Sequence, residues 1–242
     1  MVAVSVVTLS YQDLVDFNSS STTTAKNEEL VQKIGRAFGA NTDCLGILAV
    51  EGIPDFEEQR QALLPLAQLL PGLSDLAACE SPESFYSTGW SHGREQLAPG
   101  KPDLSKGSYY SNPLVEDLVP ALSARTGHTI EYWKNEAVQN PSFYAPNIWP
   151  ASLPALQPAC NSMGKTVQRT GCLLAAVCDE YCKRRGVPTS LKKTLTESLN
   201  AKARLLHYFD ASTNVATDNK KDDGQMWWYV LPKEVAEEVS SP

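Results

Sequence analysis

The sequence has no excess of positive charge and no long apolar run. It holds 21 Lys and Arg residues against 28 Asp and Glu residues, so its formal net charge is −7. A nucleic-acid binder would carry a basic patch or stripe, and we therefore expect no nucleic-acid partner. No segment reaches the roughly 18 continuous apolar residues of a membrane-spanning helix, so we expect no membrane span. A small anionic substrate stays open, because a single Arg or Lys can act locally against the global sign.

The first ten residues lack the pattern of a secretory signal. The string MVAVSVVTLS has no basic region ahead of its apolar part, and the apolar run is broken. The six cysteines are then most simply the reduced thiols of an intracellular protein. We therefore expect a cytoplasmic location.

Histidine is scarce, and none of the three in the chain has the spacing of a metal ligand. His92, His128 and His207 are followed by Gly-Arg, Thr-Ile and Tyr-Phe, so the sequence contains no H-x-D/E pair. A single His on a loop is more often a hydrogen-bonding anchor than a ligand. Three histidines without local carboxylate spacing do not make a site, and the sequence predicts no metal site.

Two further patterns resemble sites but have ordinary explanations. Cys178 and Cys182 are four residues apart on a predicted helix and could share a metal, yet no third ligand has matching spacing. We interpret them as small apolar side chains. The string GKT at 164–166 resembles the end of a phosphate-binding loop, but that loop needs a glycine where Ala159 stands. Its predicted location inside a helix also removes the cradle of backbone N–H groups.

Hydrophobic periodicity predicts an α+β chain. Short apolar or β-branched runs indicate three strands: residues 2–9, 44–50 and 204–209. Apolar residues at helical spacing indicate five helices: residues 11–17 (a helix or a turn), 28–38, 56–70, 156–182 and 191–199. Pro65 predicts a kink or break inside the third of these.

Residues 81–154 differ in character from the rest of the chain. Gly, Pro, Ser, Tyr and Trp dominate there, and repeated prolines disfavour long regular elements. We predict a Pro/aromatic-rich irregular segment with weak helices at 116–125 and 129–135. The many aromatic side chains indicate order, because they have large surfaces to bury.

Five strings in the chain carry a family resemblance, together with the order of the elements. They are GILAVEGIP at 46–54, GWSHG at 89–93 with KGSYYSNP at 106–113, PNIWP at 146–150, and ARLLHYF at 203–209. The first stands where the family has a strand and the phrase NHGIP, and the last resembles the strand that leads into its barrel. The chain up to about residue 209 resembles the N-terminal part of the iron and 2-oxoglutarate dioxygenases of the isopenicillin-N-synthase-like group, in an uncharacterised plant or algal branch.

The resemblance implies the fold and the cofactors. Residues 1–200 would form the helical and mixed N-terminal region, with helices over 155–199. Residues 201–209 would be the first strand leading into an incomplete double-stranded β-helix, or jelly roll. A complete member holds Fe(II) with two His and one carboxylate, binds 2-oxoglutarate, and oxidises a small organic substrate.

Tyr208 is the one cofactor-binding residue that the resemblance suggests. It corresponds to a tyrosine that approaches the cosubstrate in related enzymes, but Leu206 replaces the Asn of the usual pattern. The alternative is a strand tyrosine with its hydroxyl at the surface. Tyr109, Tyr110 and Trp149 could line a substrate mouth or pack against the outside of the barrel, and we favour packing.

The iron-binding half of the family has no counterpart in this sequence. Trp227 and Trp228 stand about where a Trp-containing strand precedes the first ligand, but no His follows them. We expect residues 210–242 to be a divergent, flexible tail of a truncated product, and this chain to bind neither Fe(II) nor 2-oxoglutarate. The first hypothesis is a dioxygenase-family protein that is catalytically incompetent in this form. The alternatives are a non-catalytic module that binds a protein partner through exposed apolar helix faces, and an unstable fragment.

Overall fold

The structure is a computed structural model that describes residues 5–20 and 23–210. The chain divides into two units, Met1–Phe209 and Asp210–Pro242. Only Asp210 of the second unit is described, so the predictions for the tail, including Trp227 and Trp228, lie outside the described residues. The described part is 51% helix and 14% strand, which confirms the mixed α+β class. The jelly roll stays a prediction.

The helices follow the predicted order. Nine α-helices occur in the described ranges: α1 (Tyr11–Asn18), α2 (Thr24–Phe38), α3 (Phe56–Leu63), α4 (Leu66–Leu69), α5 (Leu118–Thr126), α6 (Ile130–Gln139), α7 (Pro141–Tyr144), α8 (Leu156–Arg184) and α9 (Leu191–Glu197). Three 3-10 turns connect the middle of the chain: Leu70–Gly72, Leu76–Cys79 and Pro82–Ser84.

The strands form three small sheets. The strands are β1 (Val7–Ser10), β2 (Leu48–Glu51), β3 (Gly89–His92), β4 (Gln96–Ala98), β5 (Lys101–Pro102), β6 (Lys106–Ser111) and β7 (Ala203–Tyr208). β1 and β2 pair in parallel, and β4 and β5 form a short antiparallel hairpin. The central sheet is antiparallel in the order β3-β6-β7, with β6 in the middle.

Local chemistry explains where several helices begin and end. α2 begins earlier than predicted, because the Thr23 side chain accepts a hydrogen bond from the Lys26 N–H at 3.4 Å. The predicted helix over 56–70 is divided into α3 and α4 on either side of Pro65, as expected for a residue that lacks the N–H donor. β2 is shorter than predicted, since Gly46 adopts a positive φ of 69° just before it.

The segment over 81–154 is more regular than the sequence predicted. It contains β3 and β6, which are two of the three strands of the central sheet, together with α5, α6 and α7. The prolines lie outside these two strands, so they do not interrupt the ladder. The expected irregular segment therefore supplies most of the sheet on which the candidate site is built.

Two apolar clusters form the core. The first joins the central sheet to α3, α4 and α8, through Trp90, Tyr109, Leu205, Leu70 and Leu156 among others. The second joins β1, α1, α2 and the later turns of α8, around Leu9, Leu14, Leu30, Ile34 and Val177. α8 contributes to both clusters, so it is the element that connects the two halves of the body.

No single helix in the described residues is long and apolar enough to cross a membrane. Two consecutive helical segments, Phe56–Gly72 and Leu76–Ser84, are together long and apolar enough for a span, but the chain bends by 114° between them.

Candidate functional site: the polar face of the central sheet

The two faces of the central sheet have opposite character. Side chains alternate along each strand, so Trp90, Tyr109 and Leu205 share one face, which is buried against the helices. We call the opposite face the polar face. It carries Ser91 of β3, the alternate residues Lys106, Ser108 and Tyr110 of β6, and Arg204, Leu206 and Tyr208 of β7.

Tyr208, the residue that the resemblance singled out, lies at the open end of the polar face. It pairs with Lys106 across the ladder, and 58% of its surface is exposed. Within residues 5–20 and 23–210 its hydroxyl makes no hydrogen bond. This exposed position is compatible with both interpretations of Tyr208. The hydroxyl could contact a cosubstrate, or Tyr208 could be an ordinary surface tyrosine.

A charged cluster occupies the middle of the polar face. Glu95, which precedes β4, places its carboxylate over the sheet, where Arg204 donates to Oε1 and Lys106 lies 2.9 Å from Oε2. The Tyr110 hydroxyl donates to the same Oε1 at 3.2 Å. Arg204 also donates to the hydroxyl of buried Ser108, at 3.1 Å from Nε and 2.8 Å from Nη2.

Asp103 completes this cluster from the side of the hairpin. Its carboxylate accepts from the Ser105 backbone at 3.0 Å and lies 3.1 Å from Lys106 Nζ. The hydrogen bonds from Ser105, and then from Lys106, lower the pKa of Asp103 to about 2. The hydrogen bond from Lys106 likewise lowers the pKa of Glu95, and the charge of Arg204 acts in the same direction. Both carboxylates are therefore ionised at neutral pH.

Two of the three histidines lie on the opposite, core-facing side of the sheet. His92 and His207 share a row with Gly107 between them. The His92 Nε2 lies 3.1 Å from the Leu104 carbonyl. Burial lowers the pKa of His207, a hydrogen bond to the Ala67 backbone opposes that shift, and His92 adds to it. Gly107 leaves room for the Trp90 ring, which would be 2.0 Å from an added Cβ.

The described residues do not fit the Fe(II) site of a dioxygenase. The His92 and His207 rings each pack on Phe209 and face away from Tyr208. The third, His128, stacks on Tyr132 at 4.5 Å beside α6. Among the residues that the structure describes, no group of three His, Cys, Asp or Glu side chains could hold a metal ion. No catalytic step through iron follows from this arrangement.

The cysteines and the GKT string are placed as structural residues. Cys178 packs against the second core cluster, and burial raises its pKa to about 11. Cys160 is buried in the first cluster, where burial also raises the pKa to about 11. Thiols with raised pKa values are poor nucleophiles and poor metal ligands at neutral pH. The string at 164–166 lies inside α8, where Gly164 faces Pro113.

Tyr109, Tyr110 and Trp149, which the sequence left as either substrate-mouth or packing residues, lie in different environments. Tyr109 is 1% exposed, stacks on Trp149 with ring centroids 5.9 Å apart, and donates its hydroxyl to the Ile148 carbonyl. The Trp149 indole donates to Glu116 at 2.7 Å. These two side chains therefore pack in the body, whereas Tyr110 points to the polar face and contacts Glu95.

Sequence reasoning singled out Tyr208, whose role stays a prediction, and missed the charged cluster beside it. Arg204 and Tyr208 are four residues apart on a strand, and that alternate spacing could have placed them on one face. Glu95 had no such signal, since its partner Arg204 is 109 residues away. Comparisons with protein-family models, curated proteins and solved structures found no match for the chain.

Proposed function

We propose that this chain belongs to the non-haem Fe(II) and 2-oxoglutarate dioxygenases of the isopenicillin-N-synthase-like group, and that the body up to Phe209 corresponds to their N-terminal part. The order of elements supports this, because a parallel β1-β2 pair and short helices precede the long α8, short α9 and strand β7. The string ARLLHYF, on which the resemblance depends most, lies on β7 and Phe209. In a complete member the substrate is a small organic molecule.

The two-sided central sheet is the observation that carries the proposal. Antiparallel sheets commonly pack one face on the core and leave the other face polar, and a jelly roll is built of antiparallel sheets. The β3-β6-β7 sheet has this division, with Trp90, Tyr109 and Leu205 in the core and Tyr208 on the polar face. Tyr208 stands where a cosubstrate contact is expected from the resemblance, on a strand whose alternate residues include Arg204.

The proposed family chemistry would be absent from this chain alone. Fe(II) needs two His and one carboxylate around open positions, and 2-oxoglutarate would supply the electrons for O2 activation. The 242 residues contain no H-x-D/E pair, and the three histidines lie apart from the polar face. We therefore propose that the chain binds neither cofactor productively and that the family activity requires a longer form.

Sequencing of the full-length transcript through and beyond the codon for Gln225 tests this proposal. A frame that encodes W-x-x-H-x-D and a distant His after Phe209 would support family membership, and the protein from that frame should form succinate from 2-oxoglutarate. Tyr208→Phe in that protein should raise KM for 2-oxoglutarate several-fold. Tyr132→Phe, a change to a tyrosine of α6, should leave KM unchanged. A message that ends at Pro242, or a longer frame without these ligands, would make the chain a non-catalytic protein and refute the proposed activity.

A second candidate function is a protein-interaction module. α6 and α7 contain no buried residue, and Ile130, Val138 and Phe143 are 45%, 81% and 60% exposed. Exposed apolar side chains that lie together mark interaction surfaces more often than isolated ones do. Light scattering coupled to size-exclusion chromatography should then detect self-association that Val138→Ser and Phe143→Ser abolish. Val187→Ser, which removes another exposed apolar residue, serves as the control, and a monomer that binds no hydrophobic dye would count against this candidate.

A further inference from the structure

Two carboxylates of the segment between β3 and β6, those of Glu95 and Asp103, reach the charged cluster of the polar face. We call residues 93–105 the strap, since they leave the sheet after β3 and return at β6. Every residue of β4 and β5 is exposed, and among residues 5–20 and 23–210 these two strands pair only with each other. Three side chains of the strap attach it to the body: Glu95 on Arg204 and Lys106, Asp103 on Lys106, and Arg94, which lies 2.7 Å from Glu80 and over the Tyr86 ring. Near its C-terminal end, the Leu104 carbonyl contacts His92, and the Ser105 carbonyl accepts from the Phe209 N–H.

The groups around the Glu95 carboxylate form a receptor for a carboxylate. Arg204 and Tyr110 donate to one oxygen, and Lys106 pairs with the other. The Arg204 guanidinium is oriented by the Ser108 hydroxyl, which is 3% exposed. A planar guanidinium held in place in this way matches the geometry of a carboxylate group better than a mobile ammonium does.

The charge balance of the cluster favours a ligand with a single negative charge. Lys106 has a second carboxylate partner in Asp103 at 3.1 Å, and Arg94 is paired with Glu80. With Glu95 moved away, one uncompensated positive charge remains at Arg204. A monocarboxylate would neutralise it, whereas a phosphate dianion would leave an excess negative charge on a partly buried surface.

Apolar surface lies beside this receptor. Leu206 follows Arg204 on the same face of β7, and Tyr208 continues the row with more than half of its surface exposed. Both belong to the edge strand of the sheet, so a ligand can reach them from solvent. A ligand with a carboxylate at Arg204 and an aromatic or aliphatic body would cover these two side chains.

We propose that the polar face is a binding site for an amphipathic organic monocarboxylate and that Glu95 is its intramolecular placeholder. The ligand carboxylate takes the position of the Glu95 carboxylate on Arg204 and Tyr110, and its apolar body lies on Leu206 and Tyr208. The Glu95 end of the strap is released, while Asp103 keeps its ion pair with Lys106. The binding needs neither iron nor 2-oxoglutarate. It goes beyond the proposed function, and its failure would leave the family proposal unaffected.

Calorimetric titration of the metal-free full chain with phenylacetate tests the proposal. Glu95→Gln removes the competing charge at nearly constant size, and the affinity for phenylacetate should rise at least tenfold over the wild type. Glu131→Gln, which removes an exposed carboxylate from α6, is the matched control and should leave the affinity unchanged. Phenylacetamide has the same shape without the charge and should not bind either protein.

Two further measurements keep the test decisive. Arg204→Gln in the Glu95→Gln background should abolish phenylacetate binding, and Tyr110→Phe should weaken it several-fold in case the first variant fails to fold. Hydrogen exchange in the strap should become faster when phenylacetate binds the wild type, since the placeholder is displaced. Equal affinities of wild type and Glu95→Gln, binding of phenylacetamide, or preference for phenyl phosphate would each overturn the proposal.

Discussion

His92 and His207 lie in one row of the central sheet, on either side of Gly107, and the ring of each is centred 4.6 Å from the ring of Phe209. This arrangement gives both histidines packing and hydrogen-bonding partners on the core side of the sheet. It separates them from Tyr208 and Arg204, which lie on the polar face. The sheet therefore divides into a core-facing side that holds these two histidines and a polar face that holds Tyr208 and Arg204.

The position of His207 predicts a loss of stability in mild acid. Burial lowers its pKa from the ordinary 6.5, and the charge of His92 acts in the same direction, against the hydrogen bond to Ala67. The unfolded chain then binds more protons than the folded chain once the pH falls below about 6.5. The free energy of unfolding should decrease as the pH falls through this value and through the lower folded pKa. Urea titrations of wild type and His207→Gln between pH 7.5 and 5 measure it. The variant should show the smaller pH dependence, and parallel curves would contradict the assignment.

The lowered pKa of Asp103 predicts a second loss of stability, at lower pH than that of His207. Its pKa falls from the usual 3.8 to about 2, because Ser105 and Lys106 hydrogen-bond to the ionised form. The stabilisation is fully present above pH 3.8 and is lost as the pH falls through 2. Asp103→Asn should therefore lose less stability than the wild type between pH 4 and 2, as measured by thermal unfolding. An unchanged difference between the two proteins across that range would exclude this role.

Two glycines of α8 provide a matched pair of alanine substitutions. An added Cβ on Gly164 would lie 2.3 Å from Pro113 Cβ, whereas Gly171 has no atom within 4 Å of that position. Gly164→Ala should destabilise by about 1–3 kcal/mol through overpacking. Gly171→Ala should stabilise by about 0.5–1 kcal/mol, because alanine loses less backbone entropy in a helix. Urea denaturation of the two variants measures the difference, and equal effects would show that α8 does not pack on Pro113.

Asp179 of α8 fixes the start of α9. Its Oδ1 accepts from the Thr189 hydroxyl at 2.5 Å and the Leu191 N–H at 2.8 Å, and its Oδ2 accepts from the Lys192 N–H at 3.0 Å. Asp179→Ala should cost about 1–2 kcal/mol, as for the loss of a helix cap.

Glu197→Ala is the control for Asp179→Ala. It removes an exposed carboxylate that lies 3.9 Å from Lys193 and should change stability by less than about 0.5 kcal/mol. Chemical denaturation of both variants tests the prediction. Similar small effects in both would show that α9 does not depend on the cap.

The sequence predicts the elements whose signal is local. The spacing of Leu30, Ile34 and Phe38 is sufficient to predict α2, and the periodicity over 156–182 is sufficient to predict most of α8. Pro65 is sufficient to predict the break between α3 and α4. The leucines and aromatic residues of the string before Asp210 are sufficient to predict β7. These elements bury a face that can be identified from neighbouring residues alone.

The central sheet could not be predicted in the same way. GWSH and KGSYYS have Gly and Ser at positions where strands are normally β-branched, so their strand character depends on their partners. Ser108 pairs with Leu206, almost a hundred positions later in the chain, and such a register leaves no local pattern. The charged cluster depends on that register, which explains why the sequence contains no signal for Glu95.

The most direct test of the proposed function is succinate formation by the purified 242-residue chain. The chain would be supplied with Fe(II), ascorbate and 2-oxoglutarate, and succinate would be quantified against a blank without protein. We expect no succinate above the blank, because His92 and His207 pack on Phe209 and the sequence has no H-x-D/E pair. Iron-dependent succinate formation that increases with protein concentration would contradict this account and would require a different iron site.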